Sequence, residues 1–268
     1  CKSKEEPGKS PKIKDFIHII SGYRKKAEDS IRDKYGKSTK ISWALATNNF
    51  EITNTQMEFA REENVHLMNE KQINYFHELL KKSGQASIYQ ILSYLFADAE
   101  IKELSVSLPC IRSKLGDKEA YFFTAKPEQL LPISYISHRG NFDSAEIDAF
   151  QRTVTRPRLK KITQYVDEGG FFPNNLLLNI DTRGKGSKVF FKLTESDGIE
   201  FGTIKLPGFY KTAWIIDGQH RLLSYANSPK KSTEYVPVVA FLDLPGTEQA
   251  NMFVVINNKQ KKNELSLR

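Results

Sequence analysis

The sequence predicts an α/β fold that becomes α+β in its second part. Short apolar runs alternate with amphipathic helical segments in the first 98 residues, which favours parallel strands joined by helices. Later in the chain, Ser196-Asp197-Gly198 separates two apolar runs, as is typical of a hairpin. A hydrophobic fraction of 39% and an aromatic fraction of 11% provide enough apolar surface for a core.

The first part is predicted to form an α/β unit. The apolar run 41–47 indicates a buried strand, Asn69 an N-cap, and Ser83-Gly84 the end of a helix. The predicted elements are a helix at 16–31, a strand at 41–47, a helix at 53–63, a strand at 65–68, and helices at 69–83 and 85–96.

The second part mixes strands and helices, and we place the domain boundary near residue 99. This gives domains 1–98 and 99–268. Pro157 suits the first turn of a helix, and Gly169-Gly170 would end that helix. The predicted strands are 105–108, 120–124, 176–180, 189–193, 199–206, 213–216 and 235–242, and the predicted helices are 143–150, 157–168, one from 218, and 247–257.

The charge balance favours a polyanionic partner. The net charge is +8 and the pI is near 9.2, which suits nucleic acid, nucleotides or an anionic surface. Lysines that merely solvate the surface are the alternative. No apolar run approaches the length of a membrane span, so no membrane partner is expected.

The cysteine content points to a reducing compartment, and the histidine spacing predicts no structural metal. Cys1 and Cys110 do not make a disulfide framework, so we expect a cytoplasmic protein. None of the five histidines is spaced with Cys or carboxylates as metal ligands are. Because residue 1 is Cys, we expect a piece of a longer protein.

A predicted strand leads directly into the pentapeptide Asp217-Gly218-Gln219-His220-Arg221. Asp217 is expected to cap the following helix, and Gly218 permits a tight turn and close approach of a ligand. Free N–H groups of a first helical turn favour an anion, and His220 and Arg221 add side-chain donors. The pattern predicts a phosphate-binding turn. The alternative is a plain cap with a surface arginine and a filler histidine.

Several ordered motifs around this pentapeptide resemble the DGQHR-domain family, which includes the DndB proteins of DNA phosphorothioate modification systems. Together they cover residues 120–268 approximately. The matching segments are Ile215–Leu222, Gln151-Arg152 with Arg158–Ile162 and Tyr165, Phe171–Asn175, Val236–Val239, and Phe253 onward to Gln260.

That family in turn looks like the ParB/sulfiredoxin fold, in which a turn after a strand holds nucleotide phosphates. The resemblance places Gly218–Arg221 at this turn, and puts Gln219 where sulfiredoxins carry a catalytic cysteine, so their chemistry is not expected here. It also implies phosphate contacts from a second segment, for which a solvated helix end is the alternative. Two arginines of the upstream helix either face the ligand or flank an apolar helix face. These further candidates are Asn257, Asn258, Lys259, Gln260, Arg152 and Arg158.

The start of the chain resembles the tail of a restriction-endonuclease-like PD-(D/E)xK domain. Lys2 would be the catalytic lysine of that motif, and 43–50 with 64–67 would be its later strands. In such enzymes carboxylates hold Mg²⁺ and the lysine stabilises charge at the scissile phosphate. A lysine-rich terminus before an unrelated α/β domain is the alternative.

Three functions follow as hypotheses. The first is a nucleotide-binding module, with NTP hydrolysis left open, in a DNA-modification or phage-defence system. The second is a Mg²⁺-dependent nuclease, and the third is a non-enzymatic DNA-binding regulator. The candidate cofactors are a nucleoside triphosphate and Mg²⁺, and the expected partners are DNA and a nucleotide.

The nuclease resemblance places the metal-binding acids before residue 1. We therefore predict that the purified 268-residue chain does not cleave DNA, because Mg²⁺ would lack its carboxylate ligands. Gel analysis of plasmid DNA incubated with Mg²⁺ tests this, with EDTA as control. Mg²⁺-dependent cleavage would contradict it.

Overall fold

The computed structural model of the protein describes residues 12–97, 99–135, 155–182 and 194–266. The chain forms two units, Cys1–Glu78 and Leu79–Arg268. The division falls within a helix, ahead of the boundary near residue 99 that the sequence predicts. The assignment of the two parts to nuclease-like and ParB-like domains stays a prediction.

The first unit contains the predicted strand–helix–strand order. Strands β1 and β2 pair in parallel, with Trp43 opposite Val65, as the sequence predicts. Thr53 and Gln56 form a capping box at the start of α2. The elements are α1 Ile13–Tyr35, β1 Trp43–Ala46, α2 Asn54–Glu62, β2 Val65–Met68 and α3 Glu70–Ser83, whose last turn extends into the second unit.

A small apolar core holds the first unit together. Ile13 and Ile17, one turn apart on α1, pack with Ala60 of α2 and with Val65 and Leu67 of β2. Alternation along β2 sends its apolar side chains to one face. At the end of this strand Asn69 accepts a hydrogen bond from the Gln72 backbone N–H at 2.9 Å, which confirms the predicted N-cap.

The second unit is built on a mixed sheet with helices on both faces. Its helices are α4 Ala86–Leu95, α5 Pro127–Leu130, α6 Arg156–Asp167, α7 Gln219–Ser224 and α8 Gly246–Ser266. Its strands are β3 Ser107–Leu115, β4 Lys118–Ala125, β5 Ser134–Tyr135, β6 Leu176–Ile180, β7 Thr194–Ser196, β8 Ile199–Lys205, β9 Ala213–Asp217 and β10 Val236–Leu242. The predicted mixed α/β class is confirmed.

The strands run in the order β5-β9-β6-β10-β4-β3-β8-β7. The β10–β6 and β5–β9 pairs are parallel and the others antiparallel. One sheet face packs on α4, α6 and α7 through residues such as Leu178 and Ile215, and the other packs on α8 through Ile216 and Phe241. The α7 and α8 sides therefore meet at the carboxyl end of β9.

Several predicted elements differ from the structure at their ends. Helix α8 continues to Ser266, beyond the predicted end at residue 257, because no Gly or Pro interrupts the polar run that follows. The short elements α5 and β5 give too little periodicity to be predicted. The predicted helix at 143–150 and strand at 189–193 lie outside the described residues.

None of the helices in the described part of the chain combines the length and apolar composition that a membrane span requires.

Candidate functional site

The turn between β9 and α7 depends on Gly218. This glycine has φ 93° and ψ 13°, a left-handed conformation that other residues adopt at a cost. A Cβ at this position would lie 2.5 Å from Leu176 Cδ2 and 3.0 Å from Arg221 Nη2. Glycine is therefore required both by the backbone conformation and by the close approach of two side chains.

The prediction that Asp217 caps α7 is wrong. The N-cap is Gly218, which has no side-chain capping bond. The Asp217 carboxylate instead accepts a hydrogen bond from Arg221 Nη2 at 3.0 Å. Because Gly218 is left-handed, the helix begins one residue later than predicted. The Asp217 carboxylate forms an i,i+4 ion pair with Arg221 instead of a capping bond.

The Arg221 guanidinium joins the turn to a distant loop. Its Nη1 donates to the Asn174 carbonyl, and its Nη2 donates to the Asn175 carbonyl at 3.1 Å as well as to Asp217. Its side chain is only 16% exposed. We call this arrangement of Arg221, Asp217 and the two carbonyls the arginine clasp. Both terminal nitrogens of Arg221 thus already donate to protein acceptors, while its predicted phosphate contact stays a prediction.

A β-bulge lies immediately before the turn. In the antiparallel pairing of β6 with β9, Leu178 is opposite Ile215 but Leu177 is opposite Asp217, so Ile216 is an extra residue. Consecutive side chains of a regular strand point to opposite faces. The bulge instead lets Ile216 and Asp217 line the same pocket.

A pocket of about 380 Å³ lies at this turn. It brings the predicted site residue Arg158 together with the pentapeptide, although the two are distant in sequence. Three of the segments that carry the family resemblance supply its remaining walls. The lining residues are Arg158 and Ile162 of α6, Phe172 and Asn174 of the following loop, Ile216 to Arg221, and Phe253 of α8.

Two cationic side chains at the pocket differ in their surroundings. Arg221 is held in the clasp, whereas Arg158 is exposed, and none of the described residues forms a hydrogen bond or ion pair with it. Asp217 is the one carboxylate among the described lining residues, and Arg221 neutralises it. The net charge that this lining offers a ligand is therefore carried by Arg158.

The dipole of α7 contributes less to anion binding than the sequence suggested. Helix α7 has six residues, so few peptide dipoles align there. His220 and Gln219 are each 8% exposed and lie in its first turn. Their position at the pocket agrees with the sequence prediction, while their ligand contacts stay predictions.

The remaining candidate residues lie wholly or partly outside the described part of the chain. Lys2 and Arg152 lie outside the described residues. The range 257–260 continues helix α8 beyond Phe253, but the side chains there are outside the described part. Within the described ranges, no group of three or more His, Cys, Asp or Glu residues is arranged to hold a metal ion.

Sequence reasoning did not select Phe172, Asn174 and Phe253 as site residues. All three belong to segments that carry the family resemblance, so that pattern was the available signal. The Asn174 contribution to the clasp is a backbone carbonyl, for which no side-chain pattern exists.

The comparison with known proteins gives one match. Residues 108–268 match the family model of DndB, described as DNA-sulfur modification-associated. No curated protein and no solved structure matches the chain. The matched range contains all the described residues that line the pocket.

We predict that Gly218→Ala lowers the melting temperature more than Gly198→Ala does. Both glycines have positive φ, but a Cβ at Gly198 meets nothing within 4 Å. The matched control therefore carries only the backbone strain, about 1 kcal/mol. Thermal unfolding followed by circular dichroism measures both variants. Adding Leu176→Ala to Gly218→Ala removes the nearest clash. Equal melting temperatures for Gly218→Ala and Gly198→Ala would contradict the close approach at Gly218.

Proposed function

Because this chain belongs to the DndB family of DNA-sulfur modification-associated proteins, we propose that its second unit binds a phosphate-bearing ligand, a nucleotide or DNA, in the pocket beside Gly218. The observation that carries the proposal is Arg158, which lines the pocket with the pentapeptide and has no hydrogen-bond or ion-pair partner among the residues that the structure describes. A guanidinium that is not engaged by the described protein groups can bind phosphate through two hydrogen bonds.

Arg158 and Arg221 have different roles at this pocket. Arg158 contacts the phosphate, with His220 as a second candidate donor from the first turn of α7. Arg221 is a positioning residue, because its clasp holds the Asn174-Asn175 loop against the turn. Gly218 leaves room at the pocket wall, since it has no side chain.

Binding without turnover is the simplest activity for this pocket. Hydrolysis needs a group that activates water, and the lining carboxylate Asp217 is ion-paired with Arg221. The range 257–260 on α8 is the predicted second phosphate contact. A nucleotide-binding or DNA-binding regulator of a DNA-modification system is therefore favoured over an NTPase, and Mg²⁺ would enter with a nucleoside triphosphate.

The +8 net charge and the exposed cations of α6 also support DNA as the ligand. The nuclease hypothesis receives less support. The parallel β1–β2 pair agrees with an α/β unit, but Lys2 lies outside the described residues. ParB-like and restriction-endonuclease-like ancestry remain predictions.

We predict that Arg158→Ala weakens phosphate-ligand binding at least tenfold without changing the melting temperature. Hydrogen bonds to charged groups contribute about 1.5–3 kcal/mol, and Arg158 makes no bond to a described protein group. Isothermal titration calorimetry with ATP, CTP, GTP and inorganic phosphate, and fluorescence anisotropy with duplex DNA, measure the affinity.

Lys160→Ala is the matched control, because Lys160 is an exposed cation of the same helix that does not line the pocket. Arg221→Ala should instead lower the melting temperature, because it removes the clasp. If Arg158→Ala and Lys160→Ala bind every probe equally well, or if none of the probes binds, the proposed pocket function is wrong.

A further inference from the structure

One face of α6 continues away from the pocket as a row of cationic and aromatic side chains. Arg158, Lys161 and Tyr165 are spaced i, i+3 and i+7 and so share a face of the helix. Phe171 follows the helix. Tyr165 is 46% exposed and Phe171 is 71% exposed. Exposed aromatic rings near cations offer a ligand both a stacking face and positive charge.

The exposed Tyr165 ring is fixed in place. It lies over Gly170, where any Cβ would overlap the ring. Its hydroxyl donates to the Phe171 carbonyl at 3.1 Å, and its ring centroid lies 5.3 Å from that of Phe172 at an interplanar angle of 54°. A ring that is ordered before binding loses little conformational entropy when a ligand stacks on it.

The cations of α6 are available to a ligand. Arg156, Arg158, Lys160 and Lys161 fall in its first two turns, where there is no acidic residue. All four are exposed, and no ion pair joins them to the residues that the structure describes. An apolar protein surface would leave these charges without partners, whereas a polyanion would pair with them.

We propose that Arg158, Lys161, Tyr165 and Phe171 form a binding surface for single-stranded nucleic acid. Phosphates would pair with Arg158 and Lys161, and unstacked bases would stack on Tyr165 and Phe171. A duplex does not fit this surface equally well, because its bases stack on one another and leave no free ring faces. The inference deepens the proposed function, since Arg158 belongs to both the pocket and this surface.

The test is fluorescence anisotropy of the full 268-residue chain with a labelled oligothymidylate, and with the same strand paired to oligodeoxyadenylate. Tyr165→Ala and Phe171→Ala should each weaken single-strand binding roughly 5- to 150-fold, the range expected for losing one stacked base. Tyr165→Phe should retain most of the affinity. Tyr235→Ala is the matched control, because Tyr235 is 60% exposed but lies outside this surface.

Two further variants separate positioning and charge from general damage. Gly170→Ala keeps the Tyr165 ring but displaces it, so it should weaken single-strand binding by a larger factor than it weakens ATP and phosphate binding in the pocket, whose wall Phe172 contacts the ring. Lys161→Ala should reduce the slope of log affinity against log salt by about 0.7, the value for one phosphate contact in a single strand. Lys205→Ala removes an exposed cation of β8, outside this surface, and should leave the slope unchanged.

The outcomes distinguish this surface from the pocket. If Tyr165→Ala and Phe171→Ala bind the oligothymidylate as tightly as the unchanged chain, or if the duplex binds as tightly as the single strand, the surface is wrong even when ATP binds the pocket. If single-strand binding depends on both rings while ATP, CTP, GTP and phosphate do not bind, the surface stands and the pocket function fails. Absence of oligothymidylate binding overturns the surface.

Discussion

The arginine clasp is the interaction on which the candidate site depends. The Arg221 guanidinium contacts Asp217 within its own turn and the carbonyls of Asn174 and Asn175, which precede it by 47 and 46 residues. It thereby brings the loop after α6 to the end of β9. The pocket has walls from both segments, so this one side chain helps to fix its shape. Because the guanidinium is largely buried, losing it would leave a carboxylate and two carbonyls without their donor.

The pentapeptide Asp217 to Arg221 therefore meets a folding requirement as well as lining the proposed ligand site. Gly218 is needed because a Cβ would overlap its neighbours, and Arg221 is needed because it holds the Asn174-Asn175 loop. Among the described lining residues, the cation without a described partner is Arg158, which comes from another helix. A signature motif can be present in full while the ligand-binding charge lies outside it, so substitutions in the motif and at Arg158 test different properties.

Much of the fold was predictable, because strands and helices leave periodic apolar patterns. Strand β6, Leu176–Ile180, was predicted with its observed limits, and the N-cap at Asn69 was recognised from its residue type. The site was predicted less completely. The left-handed Gly218 moved the cap away from Asp217, and local pattern does not reveal φ. The partners of Arg221 are backbone carbonyls distant in sequence, which any residue can provide, so the clasp left no signal in the amino-acid types.

Because of the bulge at Ile216, the geometry of the site depends on the number of residues in β9. Ile216 packs on the α8 side of the sheet, yet it lines the pocket beside Asp217. Deleting Ile216 would restore regular pairing with β6 and remove the local bend that the extra residue gives the strand, so β9 would enter the turn at Gly218 in a different direction. Relatives that share this pocket can therefore exchange residue types along the strand more readily than they can gain or lose one, and its residue count should vary less than its composition.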